Sequence, residues 1–248
     1  MSINVKKPLQ IFYGTSPQTC HYLPTQIEKK IITEITGPDS DQLNHLLTSA
    51  GFRRSHNTAY RPACTSCHAC IPVRINVSKY VPNRSMKRAR KAAYDITCSE
   101  RPPIATREQF NLFKKYQKLR HEESEMATMD FNEYRSMIED TPVKTTMFEF
   151  RDSKNILIAA SLTDIVDDGL SGVYKFFSPE RRKHSLGTWI IDWHVLKAID
   201  SNLNYVYLGY WISGCSKMSY KSNFSGLEKL INNTWISFAN NITDGGIS

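Results

Sequence analysis

Three cysteines, Cys64, Cys67 and Cys70, recur at every third position in the stretch 60-YRPACTSCHACIPVR-74. Thiolates so spaced can ligate one soft ion, either zinc or the iron of an iron–sulfur cluster. They can equally form a metal-free cluster, and use of one as a nucleophile is a further option. A ferredoxin-type run would continue with three residues and Cys-Pro. This one continues Ile71-Pro72-Val73-Arg74, so a fourth ligand must come from elsewhere. Cys20, in 19-TCHYLP-24, is the first candidate, with His68 or Cys98 behind it. No His and Asp or Asn partners can be assigned to any one cysteine, which disfavours a nucleophile.

The second constellation is cationic. Between Arg53 and Arg101 the chain carries eleven Lys and Arg against Asp95 and Glu100, so this segment holds the whole basic excess of a chain whose net charge is +8. Such a stripe is the footprint of a polyanion partner, most often nucleic acid. Within 84-RSMKRARKAAYD-95, Arg84, Lys87, Arg88 and Lys91 fall at i, i+3, i+4 and i+7, one face of a helix, with Arg90 at its edge. Cations in such a row contact phosphates without reading sequence. The alternative is a merely solvated face, but those faces carry interspersed acids, and none lies between Arg84 and Lys91.

The elements that position these groups follow from composition and pattern. A chain of 248 residues, 40% hydrophobic and 23% charged, suffices for one large or two small soluble domains with a proper core. No apolar run approaches the roughly 18 residues of a membrane span, and the N-terminal MSINVKKPLQIFYG lacks the apolar segment of a secretory signal. The expectation is a cytoplasmic protein with no membrane association, its six cysteines reduced. Pro102-Pro103 breaks local structure and is the candidate boundary between a Cys- and Arg-rich region, 1–101, and a second domain, 102–248.

Ahead of that boundary 71-IPVRINV-77 alternates enough for a strand. Behind it, Thr106 caps a helix over 106–123 whose Phe110, Phe113, Tyr116 and Leu119 recur at helical spacing. The runs 145-TTMFEF-150, 156-ILIAASLTDIV-166 and 170-LSGVYKFF-177 read as antiparallel strands with a turn at 167-DDG-169. A helix over 188–200 and a return strand 205-YVYLGYW-211 follow. This order predicts an α+β layer fold, that of a GNAT-like acyltransferase core. The loop 182-RKHSLGTW-189 stands where such a core would hold the pyrophosphate of coenzyme A. It has only Gly187, so an ordinary helix start is the better reading than a CoA site.

The strings 60-YRPACTSCHACIPVRI-75, 83-NRSMKRARK-91, 173-VYKFFSPE-180, 185-SLGTW-189 and 205-YVYLGYWISGCSKMSYKSNF-224 resemble the arginyltransferase family, and within it the bacterial aspartate/glutamate leucyltransferase branch. The resemblance runs from 19-TCHYLP-24 to about Phe224. It implies a GNAT-like enzyme that moves an amino acid from its tRNA onto a protein's N-terminal amine. In the bacterial branch it implies leucyl-tRNA as donor, an acceptor beginning with Asp or Glu, and a product marked for degradation by the N-degron pathway. It makes the basic stripe (Arg84, Lys87, Arg88, Arg90, Lys91) a tRNA contact. Eukaryotic relatives hold zinc or an iron–sulfur cluster on N-terminal cysteines, which points to Cys20, Cys64, Cys67 and Cys70 here.

The chemistry that this resemblance implies needs no cofactor, because an aminoacyl ester is already activated, and a monomer suffices. The acceptor's acidic side chain does need a cation near the transfer site. Arg54, Arg74, Lys217 and Lys221 lie within the family-like strings, with Tyr210 and Tyr220 as possible hydroxyl donors. Of these, Arg74 and one of the two lysines are expected to grip the acceptor. No catalytic residue can be named. Arginyl-tRNA as donor, or a CoA-dependent acyl transfer, are the alternatives.

Overall fold

A computed structural model of the chain describes residues 9–120 and 122–238, without the side chains of residues 182–184, 216 and 217. In chain order the strands and helices are β1 (Tyr13–Gly14), β2 (Gln18–Thr19), β3 (Ile27–Glu28), β4 (Lys30–Glu34), α1 (Ser40–Ser49), β5 (Arg53–Ser55), β6 (Thr58–Pro62), β7 (Cys70–Asn76), α2 (Arg84–Ala92) and β8 (Thr97–Arg101). They continue with α3 (Arg107–Arg120), α4 (Glu125–Thr128), α5 (Phe131–Glu139), β9 (Thr145–Arg151), β10 (Leu157–Val166), β11 (Gly169–Phe177), α6 (Leu186–Asp200), β12 (Tyr205–Ile212), α7 (Ser216–Ser219), β13 (Leu227–Ile231) and β14 (Thr234–Ser237).

Eight strands form one sheet in the order β14-β13-β7-β12-β11-β10-β9-β8. Neighbours pair antiparallel except β11 and β12, which run parallel because α6 carries the chain back across the sheet. Both faces are covered, so the central strands are apolar on both sides. Met147, Leu162 and Phe176 pack on Phe113 of α3 and Tyr134 of α5. Phe148, Phe150 and Ile158 turn the other way, onto Ala89 of α2 and Trp189 and Ile190 of α6. This is the expected α+β layer fold, with antiparallel strands, a helix and a parallel return strand.

Local signals explain the helix starts. Thr106 accepts from Gln109 N at 3.2 Å while Gln109 Oε1 accepts from Thr106 N at 3.0 Å, a reciprocal cap that fixes where α3 begins. Asn83 accepts from Met86 N at 3.0 Å and starts α2. That helix buries Met86 and Ala89 and turns Arg84, Lys87, Arg88 and Lys91 to solvent.

The large sheet draws strands from both sides of the expected boundary at Pro102-Pro103. β7 and β8 precede it, yet β7 lies between β13 and β12 and β8 closes the edge beside β9. Their backbone groups are satisfied only within the large sheet. What stands apart is a small sheet, β1-β4-β6-β5, with its own core of Ile35, Leu47, Phe52 and Ala59 under α1.

Candidate active site

β11 and β12 pair over three positions only, Gly169 with Tyr205, Leu170 with Val206 and Ser171 with Tyr207, and then part. Two irregularities open the gap. Val173 is the extra residue of a bulge, since Thr163 pairs with Gly172 and Leu162 with Tyr174. On β12 the register against β7 shifts between Tyr207 and Gly209, where Gly209 takes φ +71°. Arg53, reaching over from β5, fills the opening: its Nη2 donates to Gly172 O at 2.8 Å and Val173 O at 2.9 Å. Carbonyls left without a ladder partner thus keep a donor. A Cβ at Gly209 would fall 1.9 Å from Arg53 Nη1, so only glycine leaves the arginine room.

Below this wedge lies a cleft of ≈1650 Å³. It is lined by Cys20, Cys64, Cys67 and Cys70, by the apolar Met126, Met129, Met137 and Phe177, and by Lys175, Tyr220 and Lys221. Lys175 Nζ donates to Gly187 O at 3.1 Å and lies 5.7 Å from the centre of the Tyr220 ring. Burial, with the charge of Arg53, pulls its ammonium down to about 7. Lys221 is buried and donates to Leu208 O at 2.9 Å and Tyr210 O at 2.5 Å. Burial holds it well below the usual lysine range, and Arg53 and Lys175 add repulsion.

His194, on α6, reaches the same cleft beside Ser161. Its Nδ1 donates to Ile190 O at 2.6 Å, which leaves Nε2 to accept from Thr163 Oγ1 at 3.0 Å. Burial pushes its pKa down to about 4, so it is neutral at pH 7.

The structure sorts the expected acceptor residues. Arg54 is closed on Asp164 by two 2.7 Å bonds, from Nε to Oδ2 and from Nη2 to Oδ1, in a pair whose side chains are each 1% exposed. Arg74 meets Glu228 at 3.0 Å and is sandwiched 3.5 Å from the Tyr205 ring and 4.3 Å from the Trp235 ring. Each guanidinium is thus paired with an internal carboxylate. The Tyr210 hydroxyl is likewise engaged, donating to Gly51 O at 3.0 Å and Tyr60 O at 3.2 Å. Lys221 and Tyr220 do line the cleft. The Lys217 side chain lies outside the described residues.

The cationic stripe is also sorted. Arg84, Lys87, Arg88 and Lys91 are exposed, and among the described residues no acid pairs with them. Arg90 instead turns inward and grips buried Asp192, Nε to Oδ2 at 2.5 Å and Nη2 to Oδ1 at 2.8 Å. It anchors α2 to α6 and does not belong to the exposed face.

The four expected metal ligands all line the cleft, and burial together with the neighbouring thiols of Cys20, Cys64 and Cys67 pushes the Cys70 thiol up to about 12. Cys64 Sγ donates to Lys29 O at 3.7 Å, and Cys20 Sγ accepts from Leu23 N at 3.4 Å. Among the described residues no three His, Cys, Asp or Glu converge where an ion could sit. As arranged, these thiols do not fit a zinc ion or an iron–sulfur cluster.

Gly187, the lone glycine of the expected phosphate loop, packs on a ring: a Cβ there would lie 3.2 Å from two atoms of Phe177. Comparison with known proteins decides among acyltransferases. Residues 18–88 match the N-terminal and residues 108–231 the C-terminal part of the arginine-tRNA-protein transferase family. The chain belongs to this family. It is 47% identical over 230 residues to an aspartate/glutamate leucyltransferase of Rhodospirillum rubrum, covering 92% of this chain and 93% of that one. It is also 47% identical over 235 residues to one of Paramagnetospirillum magneticum, covering 95% and 96%. In this transferase the residues that sequence missed are Arg53, Lys175, Gly209 and His194. Lys175 alone left a signal, as a cation inside the apolar strand 170-LSGVYKFF-177.

Proposed function

We propose that the chain transfers leucine from leucyl-tRNA to the N-terminal α-amine of proteins beginning with Asp or Glu. It does so in the cytoplasm, as a monomer, and marks the product for degradation. The observation that carries this reading is identity of 47% with an aspartate/glutamate leucyltransferase over 92% of the chain. We assign the transfer to the cleft beside the β11–β12 opening. No helix of the described residues is long and apolar enough to cross a membrane.

The chemistry is aminolysis. The neutral acceptor amine attacks the ester carbonyl of the donor, an oxyanion forms, and its collapse expels the ribose hydroxyl, which takes the proton the amine gives up. The α-amine has a pKa near 7.7–8.0, so an appreciable fraction is neutral at pH 7. Holding donor and acceptor together can lower the barrier by several kcal/mol, up to about 7–11, and one oxyanion donor by roughly 3 more. No covalent enzyme intermediate is needed. The exposed face of Arg84, Lys87, Arg88 and Lys91 is the proposed tRNA contact. No step is routed through zinc or an iron–sulfur cluster, since the thiols do not form a ligand cage.

The test offers the protein labelled leucyl-tRNA or arginyl-tRNA with peptides starting Asp, Glu, Arg or Ala. Leucine is expected on the Asp and Glu peptides alone. Equal labelling of all four, or labelling only from arginyl-tRNA, rejects the proposal.

A further inference from the structure

The cleft's cations differ in what neutralises them. Lys30 pairs with Glu28, Arg54 with Asp164, and Arg181 with Asp95 and Asp152. Lys118 and Arg120 stand exposed at the rim. Arg53, Lys175 and Lys221 remain, and among the described residues no carboxylate pairs with any of them. Bringing unpaired cations together away from water is unfavourable unless an anion joins them.

The three differ in how firmly they are held. Arg53 is fixed by the carbonyls of Gly172 and Val173 and by the space at Gly209. Lys221 is buried with its Nζ on two carbonyls. Lys175 rests on one, Gly187 O, at the end of a flexible stem. A lysine is a compact point charge on four carbons, whereas an arginine fork demands a fixed geometry. Asp and Glu differ by one methylene, a difference that a swinging ammonium can follow and a rigid fork cannot.

We propose that Lys175, backed by the fixed charge of Arg53, receives the side-chain carboxylate of the acceptor's N-terminal Asp or Glu and sets the acceptor specificity of the transfer. This rests on the proposed leucyl transfer. An acceptor with a neutral side chain leaves the cation pair unmatched and is refused for that reason. The pull of burial and of Arg53 on the Lys175 ammonium is the same cost, seen without substrate.

The experiment compares peptides starting with Asp and with its neutral isostere Asn, in the wild type and in Lys175→Met, Lys175→Gln and Lys175→Arg. The wild type prefers Asp. Lys175→Met removes the charge, and Lys175→Gln does so while keeping a donor for Gly187 O, so one of them reads the effect should the other fail to fold. In both, the Asp-to-Asn ratio of kcat/KM is expected to fall about tenfold or more, while KM for leucyl-tRNA changes less than about twofold. Lys175→Arg is expected to keep a preference for Asp. An unchanged Asp-to-Asn ratio in the neutral variants overturns the inference. So does an effect confined to leucyl-tRNA, which would place Lys175 at the donor's phosphates. Wild-type protein that labels no peptide from leucyl-tRNA rejects the proposed function instead.

Discussion

Arg53 occupies the space that a side chain at position 209 would need, its Nη1 lying 1.9 Å from where a Cβ on Gly209 would fall. The two residues come from different sheets, β5 and β12, and they meet where β11 and β12 separate. An arginine from the N-terminal sheet thus holds open the gap from which the cleft is built. A neighbouring arginine, Arg54, points the opposite way along the same strand and locks that sheet to Asp164 of β10.

Gly209→Ala should therefore destabilise twice over. It forces alanine to φ +71° and drives a methyl into the guanidinium. The expected loss is about 3 kcal/mol, a fall in Tm of roughly 6–12 °C for a chain of this size. Arg53→Met in the alanine background should restore part of it, with a coupling of about 1 kcal/mol or more in a double-mutant cycle followed by thermal unfolding. Strict additivity would mean that the two residues do not share the space.

The two kinds of cation on α2 should respond differently. Replacing Lys87 and Arg88 by alanine is expected to weaken tRNA binding and flatten the slope of log K against log salt by roughly two units, with Tm unchanged. Arg90→Ala leaves Asp192, whose side chain is 1% exposed, without a cation and with only the Tyr80 hydroxyl as a side-chain partner. It should lower stability by about 2 kcal/mol, less than for a fully buried pair because the Arg90 side chain is itself 34% exposed. Filter binding across a salt series and a melting curve separate the two outcomes.

This contrast shows what the sequence could and could not tell. Period-3.6 spacing placed Arg84, Lys87, Arg88 and Lys91 correctly on one face, because a helix surface depends only on spacing. It could not tell that Arg90 faces Asp192, which lies 102 residues away. The strands over 145–177 and the helix–strand return were legible from apolar runs and turn residues. The pairings of Arg54 with Asp164 and of Arg74 with Glu228 were illegible for the same reason as that of Arg90: the partners meet only in three dimensions. Pro102-Pro103 is a local break and says nothing about long-range pairing, so the sequence did not show that β7 and β8 join the later strands across it.

His194 gives the fold an acid-sensitive point. Its folded pKa, about 4, lies below the ordinary histidine value of 6.5, so the unfolded chain binds the extra proton first. Stability from this group is full above pH 6.5 and drains away as pH falls toward 4. Between pH 7 and pH 5 the expected loss is about 2 kcal/mol. The lowered carboxylates Glu28, Glu108 and Glu228 contribute below that range. Melting curves at pH 7 and 5 for the wild type and His194→Gln check it; a variant just as acid-sensitive as the wild type would falsify the assignment.

Cys70 should be a slow thiol. Burial and three neighbouring thiols push it up to about 12, against an ordinary 9.0. Its thiolate fraction at pH 7.5 is then lower by about a thousandfold, and alkylation by iodoacetamide should be slower by about two to three orders of magnitude than for free cysteine. Mass spectrometry of the labelled peptide reads the rate. Reaction at the free-cysteine rate would show that the four thiols are arranged otherwise, and metal analysis of anaerobically purified protein would then be the next measurement.

The pH dependence of acceptor use should carry the mark of Lys175. The groups that face it are Arg53 from β5, His194 from α6, Tyr220 and Lys221 from the segment after α7, and the Gly187 carbonyl at the start of α6; none is a carboxylate. With the ammonium titrating at about 7 in the free enzyme, Lys175 is charged below that pH and neutral above it. KM for an Asp peptide should accordingly rise toward tenfold for each pH unit above 7. The acceptor amine works in the opposite direction, since it becomes nucleophilic only as pH rises toward about 7.7–8.0. The product is a bell in kcat/KM for the acceptor with its maximum between the two values. Lys175→Arg replaces a titrating ammonium with a guanidinium that stays charged at every accessible pH. Its acid limb should therefore stay in place while the alkaline limb moves out of the measurable range. If both limbs remain where they were, Lys175 is not the group whose charge the acceptor needs.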